Sequence, residues 1–309
     1  MVSPAQRREA AQALMARGLS ERRSCALAQL SRSTLHYQPL PRDDEAVVAE
    51  LRAIALQYKR YGYRRAYVLL RKKRRINHKR VQRLWQQAKL QRPIRHRRRR
   101  AAQPKAVPLQ AEYPNHVWTY DFMEDSTADS RSFRLLTLVD EFTRESLAIE
   151  VARHWPSATV IQVLARVIAR RGRPAFIRSD NGPEFIAQAV CGWLYQQPID
   201  THHIDPGSPW QNPYGESFNG HFRDECLNLE EFLTVLEAQV LCERWRRHYN
   251  DQRPHSALAY RTPSEFRREW EVAHGPIPGA SANRRESLSH SAPSAGQNQK
   301  GAGRKALPR

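Results

Sequence analysis

Between Lys59 and Arg100 there is not one aspartate or glutamate. The stretch contains YKRYGYRR, RKKRR, HKR and RHRRRR, and so carries almost all of the chain's formal net charge of +20. A solvated face normally mixes the two signs. A long segment without acids is suited to a polyanion, and nucleic acid is the partner it fits. A pI near 10.4 points the same way, although an anionic membrane surface is also a polyanion. No run of eighteen apolar residues exists, which argues against a membrane span. The N-terminus, MVSPAQRREAAQAL, lacks the apolar core of a signal peptide, so a cytoplasmic protein is expected. Cysteine is scarce. Cys25, Cys191, Cys226 and Cys242 are widely spaced and form no CxxC pair, which suits a reduced chain and argues against structural zinc.

What is present divides along the chain. With 309 residues and 40% hydrophobic content there is room for more than one domain and a real core. Residues 1–44 read as a short helical segment with two helices, one capped by Ser20 and one by Ser31. Residues 45–105 read as a basic, helix-turn-helix-like region and linker. In it Val47, Val48, Leu51, Ile54 and Ala55 keep helical spacing, and RRINHKRV has the look of a turn leading into a recognition helix. Val81, Leu84 and Trp85 form the apolar face of that last helix, while Lys79, Arg80 and Arg83 face out. From Asn115 the pattern changes. HVWTYDFM, SFRLLTLVDEFT and SLAIEVA read as an antiparallel meander. A helix capped by Ser157 and ended by Gly172 follows, then a fourth strand PAFIRSD, a helix, and a fifth strand IDTHHI. Two further helices come next, the first beginning after Gly215. The expected class is α/β, a mixed five-stranded sheet flanked by helices over about 110–270. Residues 275–309 are rich in Gly, Ser, Pro and Asn without aromatics, and read as a disordered tail.

Three acids stand in unusual places. Asp121 lies inside the apolar, aromatic strand VWTYDFM, where an ionised carboxylate is costly without a partner or metal. Asp180 ends the fourth strand before the Asn181-Gly182-Pro183 turn, and Glu216 opens a helix after the loop SPWQNPYG. Each has an ordinary reading: a partner for an arginine, a turn former, a first-turn acid placed for the helix dipole. Neighbouring strands lie about 4.8 Å apart, so two acids on adjacent strands and one on a helix can converge. Three converging carboxylates suit a pair of Mg²⁺ ions, which about 3.5–4 Å apart activate a hydroxyl and stabilise the leaving oxygen of a phosphodiester.

Thirty-five residues separate Asp180 from Glu216, and an earlier Asp121 stands in a W-x-x-D strand. This pattern resembles the DDE triad of retroviral integrases and related transposases. The flanking text, RSDNGPEF, SPWQNPYGESFNGHFRDECLN and YNDQRPHSALAYRTPSEF, is similar to the catalytic-frame (OrfB-type) transposase of bacterial insertion sequences. The resemblance covers about 45–270, including YGYRRAYVLLRKKRRINHKRVQRLWQQAKL.

The resemblance implies an RNase H-like, integrase-type core with Asp121, Asp180 and Glu216 as catalytic residues and ligands of Mg²⁺, with Mn²⁺ as an alternative ion. It implies DNA cleavage and strand transfer at the ends of an element: transposition, integration and recombination. Asn219 and Arg223 lie on the helix face of Glu216 and are expected to contact DNA. Arg71, Lys72, Lys73, Arg74, Arg75, Lys79, Arg80 and Arg83 are expected to bind it through the basic region. The implied partners are double-stranded DNA (terminal inverted repeats and target), further copies of the chain, and an upstream-frame helix-turn-helix protein or frameshift fusion. The family's retroviral relatives carry an N-terminal zinc finger whose spacing is missing here, so no zinc is expected. Two rival readings are an RNase H-like nuclease that hydrolyses without joining, and a DNA-binding regulator without catalysis.

Overall fold

In a computed structural model the described residues are 3–38, 43–92, 109–179, 188–203 and 212–275. The chain separates into two units, Met1–Ala53 and Ile54–Arg309.

The first unit opens with three helices rather than the two expected: α1 (Pro4–Ala16), α2 (Glu21–Leu27) and α3 (Arg32–Leu35). The additional helix, α1, starts at a full capping box. Ser3 accepts from the Gln6 amide, the Gln6 side chain accepts from the Ser3 amide, and Pro4 fills the first helical position. Ser31 caps α3 through the Thr34 amide, whereas Ser20 precedes α2 without a side-chain cap. Ala11, Cys25 and Leu35 form a small apolar centre. Helix α4 (Asp44–Gln57) carries the chain across the division.

The second unit begins its ordered helices with α5 (Tyr63–Arg71) and α6 (His78–Gln87), joined by a basic turn. Asn77 caps α6 by accepting from the Lys79 amide. Ala66 and Leu70 of α5, and Val81, Leu84 and Trp85 of α6, are buried, as the apolar spacing requires.

Five strands follow in the expected segments: β1 (Val117–Ser126), β2 (Ser132–Asp140), β3 (Ser146–Ala152), β4 (Phe176–Ser179) and β5 (Asp200–His203). They form one mixed sheet in the order β3-β2-β1-β4-β5. The first three run antiparallel as a meander, and β4 and β5 add in parallel. Strand alternation splits β1 between two cores. Trp118 and Tyr120 pack with α7 (Ser157–Arg171) and α8 (Gln188–Gln196) on one face. Met123 lies on the other, with α9 (Pro213–Phe222) and α10 (Val235–Asp251). Helix α11 (Pro263–His274), opened by a Thr262/Glu265 capping box, completes the described elements.

Two expected boundaries move. Pro156, not Ser157, takes the N-cap of α7, so Ser157 becomes the first helical residue; Gly172 ends the helix at φ 89°. Helix α9 starts at Pro213 rather than after Gly215. Its cap is Asn212, whose side chain accepts from the Gly215 amide, and Pro213 again fills the first position. The expected tail lies outside the described residues, apart from Gly275.

Candidate active site

Asp121 sits in β1, the central strand, opposite Thr137 of β2. Period two places it on the same sheet face as Thr119 and Met123, the face that α9 covers. Along α9 and its caps, Asn212, Glu216, Asn219 and Arg223 recur at helical spacing and share one stripe. Three hydrogen bonds fasten that stripe to β1 in order. Thr119 Oγ1 donates to Asn212 Oδ1 at 2.8 Å. Asn219 Nδ2 donates to Asp121 Oδ2 at 2.7 Å. Arg223 Nη2 donates to the Glu124 carbonyl at 3.1 Å. Helix and strand therefore advance together. Glu216 lies on the stripe between the first two contacts and is exposed.

Gly215 allows the first contact. A Cβ there would stand 2.6 Å from Asn212 Nδ2 and 2.7 Å from its Oδ1, inside the space the cap occupies. Any larger residue would push the Asn212 side chain out of its cap, so glycine suits this position within the first turn of a helix it would otherwise weaken.

Asp121 is half-buried, and its other oxygen, Oδ1, accepts from the Phe122 amide at 2.8 Å. Asn219 is 9% exposed and spends its amide at both ends, because Thr137 Oγ1 donates to Asn219 Oδ1 at 3.1 Å. The same hydroxyl lies 3.2 Å from the Asp121 carbonyl. Asn219, expected to contact DNA, here has its side chain between Asp121 and Thr137. Arg223 is exposed, as a DNA contact requires.

The third acid, Asp180, lies outside the described residues. It follows directly on Ser179, the last residue of β4. Strand β4 runs beside β1, with Thr119 opposite Arg178, two residues before Asp121. Arg178 is fully buried and pairs with Glu141, also fully buried, at 3.0 Å; its Nη2 donates to the Leu109 carbonyl at 2.6 Å. Burial pushes the Glu141 carboxyl up to about 7 against the pull of Arg178. Among the described residues, no three His, Cys, Asp or Glu side chains gather into a metal cluster.

The expected basic contacts spread over the α5–α6 turn and the outer side of α6. Arg71, Lys73, Arg75, Lys79 and Arg83 are exposed, and Arg74 and Arg80 are half-buried. Lys72 is exposed and pairs with Glu265 at 3.2 Å. At the turn, Tyr67, Arg71, Arg75 and His78 help to line a depression of about 380 Å³. No helix among the described residues is long and apolar enough to cross a membrane.

A mixed five-stranded sheet with Asp121 on its central strand, and Glu216 on the helix fastened across that strand, has the form of an integrase-type core. Family comparison agrees. Two models described as an integrase core domain match residues 111–209 and 197–263, and a model of an HTH-like domain matches residues 41–99. The chain is 40% identical over 268 residues to the uncharacterized 39.2 kDa protein of insertion element IS476 from Xanthomonas euvesicatoria, covering 86% of this chain and 78% of that one. It is 42% identical over 256 residues to the uncharacterized 31.7 kDa protein of insertion element IS407 from Burkholderia multivorans, covering 80% and 90%. It is 26% identical over 260 residues to the putative transposase InsK of insertion sequence element IS150 from Escherichia coli, covering 78% and 91%. The chain belongs to the integrase-core transposase family of bacterial insertion elements.

Proposed function

We propose that Asp121, Asp180 and Glu216 form the catalytic set with which this transposase cuts and joins the ends of its element in double-stranded DNA. The observation that carries the reading is the fastening of α9 to β1, with Glu216 on the stripe that faces Asp121. The donor set fits a hard divalent ion. It is all oxygen, Asp121 and Glu216 stand on a strand and a helix that are fastened to each other, and Asn219 donates to Asp121 Oδ2. We assign Mg²⁺, with Mn²⁺ as a substitute, held by the three carboxylates. When bound, the ion supplies Lewis acidity toward the phosphodiester oxygens and a lowered pKa for the attacking hydroxyl.

The chain's own residues do the rest. Asn219 holds Asp121 in one rotamer, and Thr137 holds Asn219. Arg223, exposed at the end of the stripe, meets the DNA backbone. The basic turn and the outer face of α6, in the helix-turn-helix-like region 45–105, grip the duplex beside the element end, and the core at about 110–270 carries out the chemistry. Phosphate contacts of this kind position the duplex, while base edges read it. The terminal inverted repeats and a target duplex are the substrates. Further copies of the chain pair the two ends, and an upstream-frame helix-turn-helix protein, separate or fused, is the expected accessory.

The test is strand joining. Purified chain is incubated with Mg²⁺, a labelled duplex carrying one end of its element, and an unlabelled target duplex, and the products are separated on a denaturing gel. A joined strand longer than the substrate supports the reading. Shortened strands alone would make the protein a nuclease, and bound but intact DNA would make it a regulator.

A further inference from the structure

Three residues with no part in the carboxylate site, Arg65 of YGYRR, Glu225 of HFRDECLN and Arg253 of YNDQRPHSALAY, come from distant sequence motifs. They meet at a single point in the second unit. Arg253 forms a two-pronged pair with Glu225, Nε to Oε2 at 2.6 Å and Nη2 to Oε1 at 2.7 Å. Arg65 Nη1 donates to the same Oε1 at 3.0 Å. The Arg253 side chain is 1% exposed and that of Glu225 9%, so two guanidinium groups share a largely buried carboxylate. Burial alone would raise the Glu225 carboxyl, but the hydrogen bonds and charge of Arg253, and then the charge of Arg65, hold it below the ordinary range.

The position of Glu225 along the chain gives the cluster its meaning. Helix α9 passes without a break into a π-helical turn, Arg223–Leu227. Asp224 and Glu225 lie in that turn, and both are taken by arginines from the segment that leads into α6. Arg60 Nε donates to the Asp224 carbonyl at 3.0 Å, and Arg65 reaches Glu225. Arg65 stands in the first turn of α5, the helix whose end begins the basic turn. The helix that carries Glu216 is therefore tied at its C-terminal end to the helices that carry the exposed cations. Buried ion groups contribute little net stability compared with apolar packing, and their best-attested use is to fix one arrangement over others.

We propose that Arg65 is a positioning residue: by holding Glu225 it fixes where α9, and with it Glu216, lies against β1, so that DNA seated on α5 and α6 sets the geometry of the carboxylate site. The proposal rests on the function given above. It predicts a coupling between end binding and cleavage that neither the triad nor the basic face produces alone.

Arg65→Ala is the informative change. It leaves the Arg253–Glu225 pair intact, so the carboxylate keeps a partner and the core keeps its fold. Binding of the labelled element-end duplex should stay within about threefold of wild type, since Arg65 is turned to Glu225. Cleavage at saturating protein should fall by about a hundredfold, the scale on which an ångström of misplacement acts. Arg65→Lys, which keeps one charged donor, should recover part of that loss. Hydrogen exchange adds a readout independent of activity: α9 amides from Phe218 to Phe222 should exchange faster in Arg65→Ala, with β1 and β2 unchanged. Unaltered α9 exchange, or cleavage at the wild-type rate, would overturn the coupling. So would parallel losses of binding and cleavage, which would make Arg65 a DNA contact. A wild-type chain that binds but never cleaves, together with loosened α9 in the variant, would sink the functional reading and keep the coupling.

Discussion

Replacing Asn219 with alanine tests how the site is held. The change deletes the 2.7 Å bond to Asp121 Oδ2 and the 3.1 Å bond from Thr137. A hydrogen bond to a charged group contributes about 1.5–3 kcal/mol. Two features of the site reduce that figure. Asp121 is half-buried, so water can replace the lost donor, and Thr137 Oγ1 keeps the Asp121 carbonyl as an acceptor. A net loss of roughly 1–2 kcal/mol follows. For a unit of this size that lowers the Tm by about 2–8 °C. The functional loss should be larger in proportion, because Asp121 is freed to rotate; removing an outer partner of a metal-binding carboxylate typically costs about 10–100-fold in activity or metal affinity. The assay pairs a thermal melt with Mg²⁺-dependent cleavage of the element-end duplex, titrated in Mg²⁺. A variant with unchanged Tm and unchanged Mg²⁺ requirement would refute the assignment of Asn219 as the residue that orients Asp121.

Other expectations follow from the same contacts. Gly215→Ala should drive a Cβ into Asn212, break the Asn212–Thr119 bond and reduce cleavage more than stability, checked by the same two assays. Lys73→Ala, Lys79→Ala or Arg83→Ala should weaken DNA binding across sequences, and each phosphate contact removed should reduce the log–log salt slope by about 1; an unchanged slope would remove that residue from the interface. His255 offers a pH test. Burial, then the charge of Arg253, lowers it to about 2, below the unfolded value of 6.5. Between those values only the unfolded chain takes up the proton, so stability falls as pH falls below 6.5. His255→Gln should make the loss between pH 7 and pH 5, measured by urea unfolding, smaller by roughly 2 kcal/mol.

Much of the core could be read from residue type and period. The strand-forming residues of VWTYDFM and SFRLLTLVDEFT mark β1 and β2, and Thr119 and Thr137 interrupt the apolar pattern at the positions that bond α9. The spacing of Val81, Leu84 and Trp85 set the buried face of α6, and left its cations outside. Helix α1 was also legible, in the Ser3-Pro4-x-Gln6 box, but its apolar stripe is weak and its burial slight, so periodicity passed it over. The start of α9 was misread for a local reason. Glycine usually marks a break, whereas Gly215 serves the close approach of Asn212 inside a helix that Asn212-Pro213 had already opened. Helical spacing puts Asn219 on the face of Glu216, but spacing does not name the Asp121 and Thr137 side chains it bonds there. The Arg65–Glu225–Arg253 cluster was not legible at all. Its members come from three distant segments, and a charge that will be buried is written in the same letters as one that will be solvated.

The most direct test is the effect of single, near-isosteric changes in the three acids on metal-dependent cleavage and joining of the element-end duplex. Asp121→Asn, Asp180→Asn and Glu216→Gln should each abolish both products in Mg²⁺ and in Mn²⁺ while leaving duplex binding within about threefold of wild type, since the carboxylates hold the ion and the basic helices hold the DNA. Full cleavage by any one of the three variants would contradict the assignment of that acid and, with it, the three-carboxylate site.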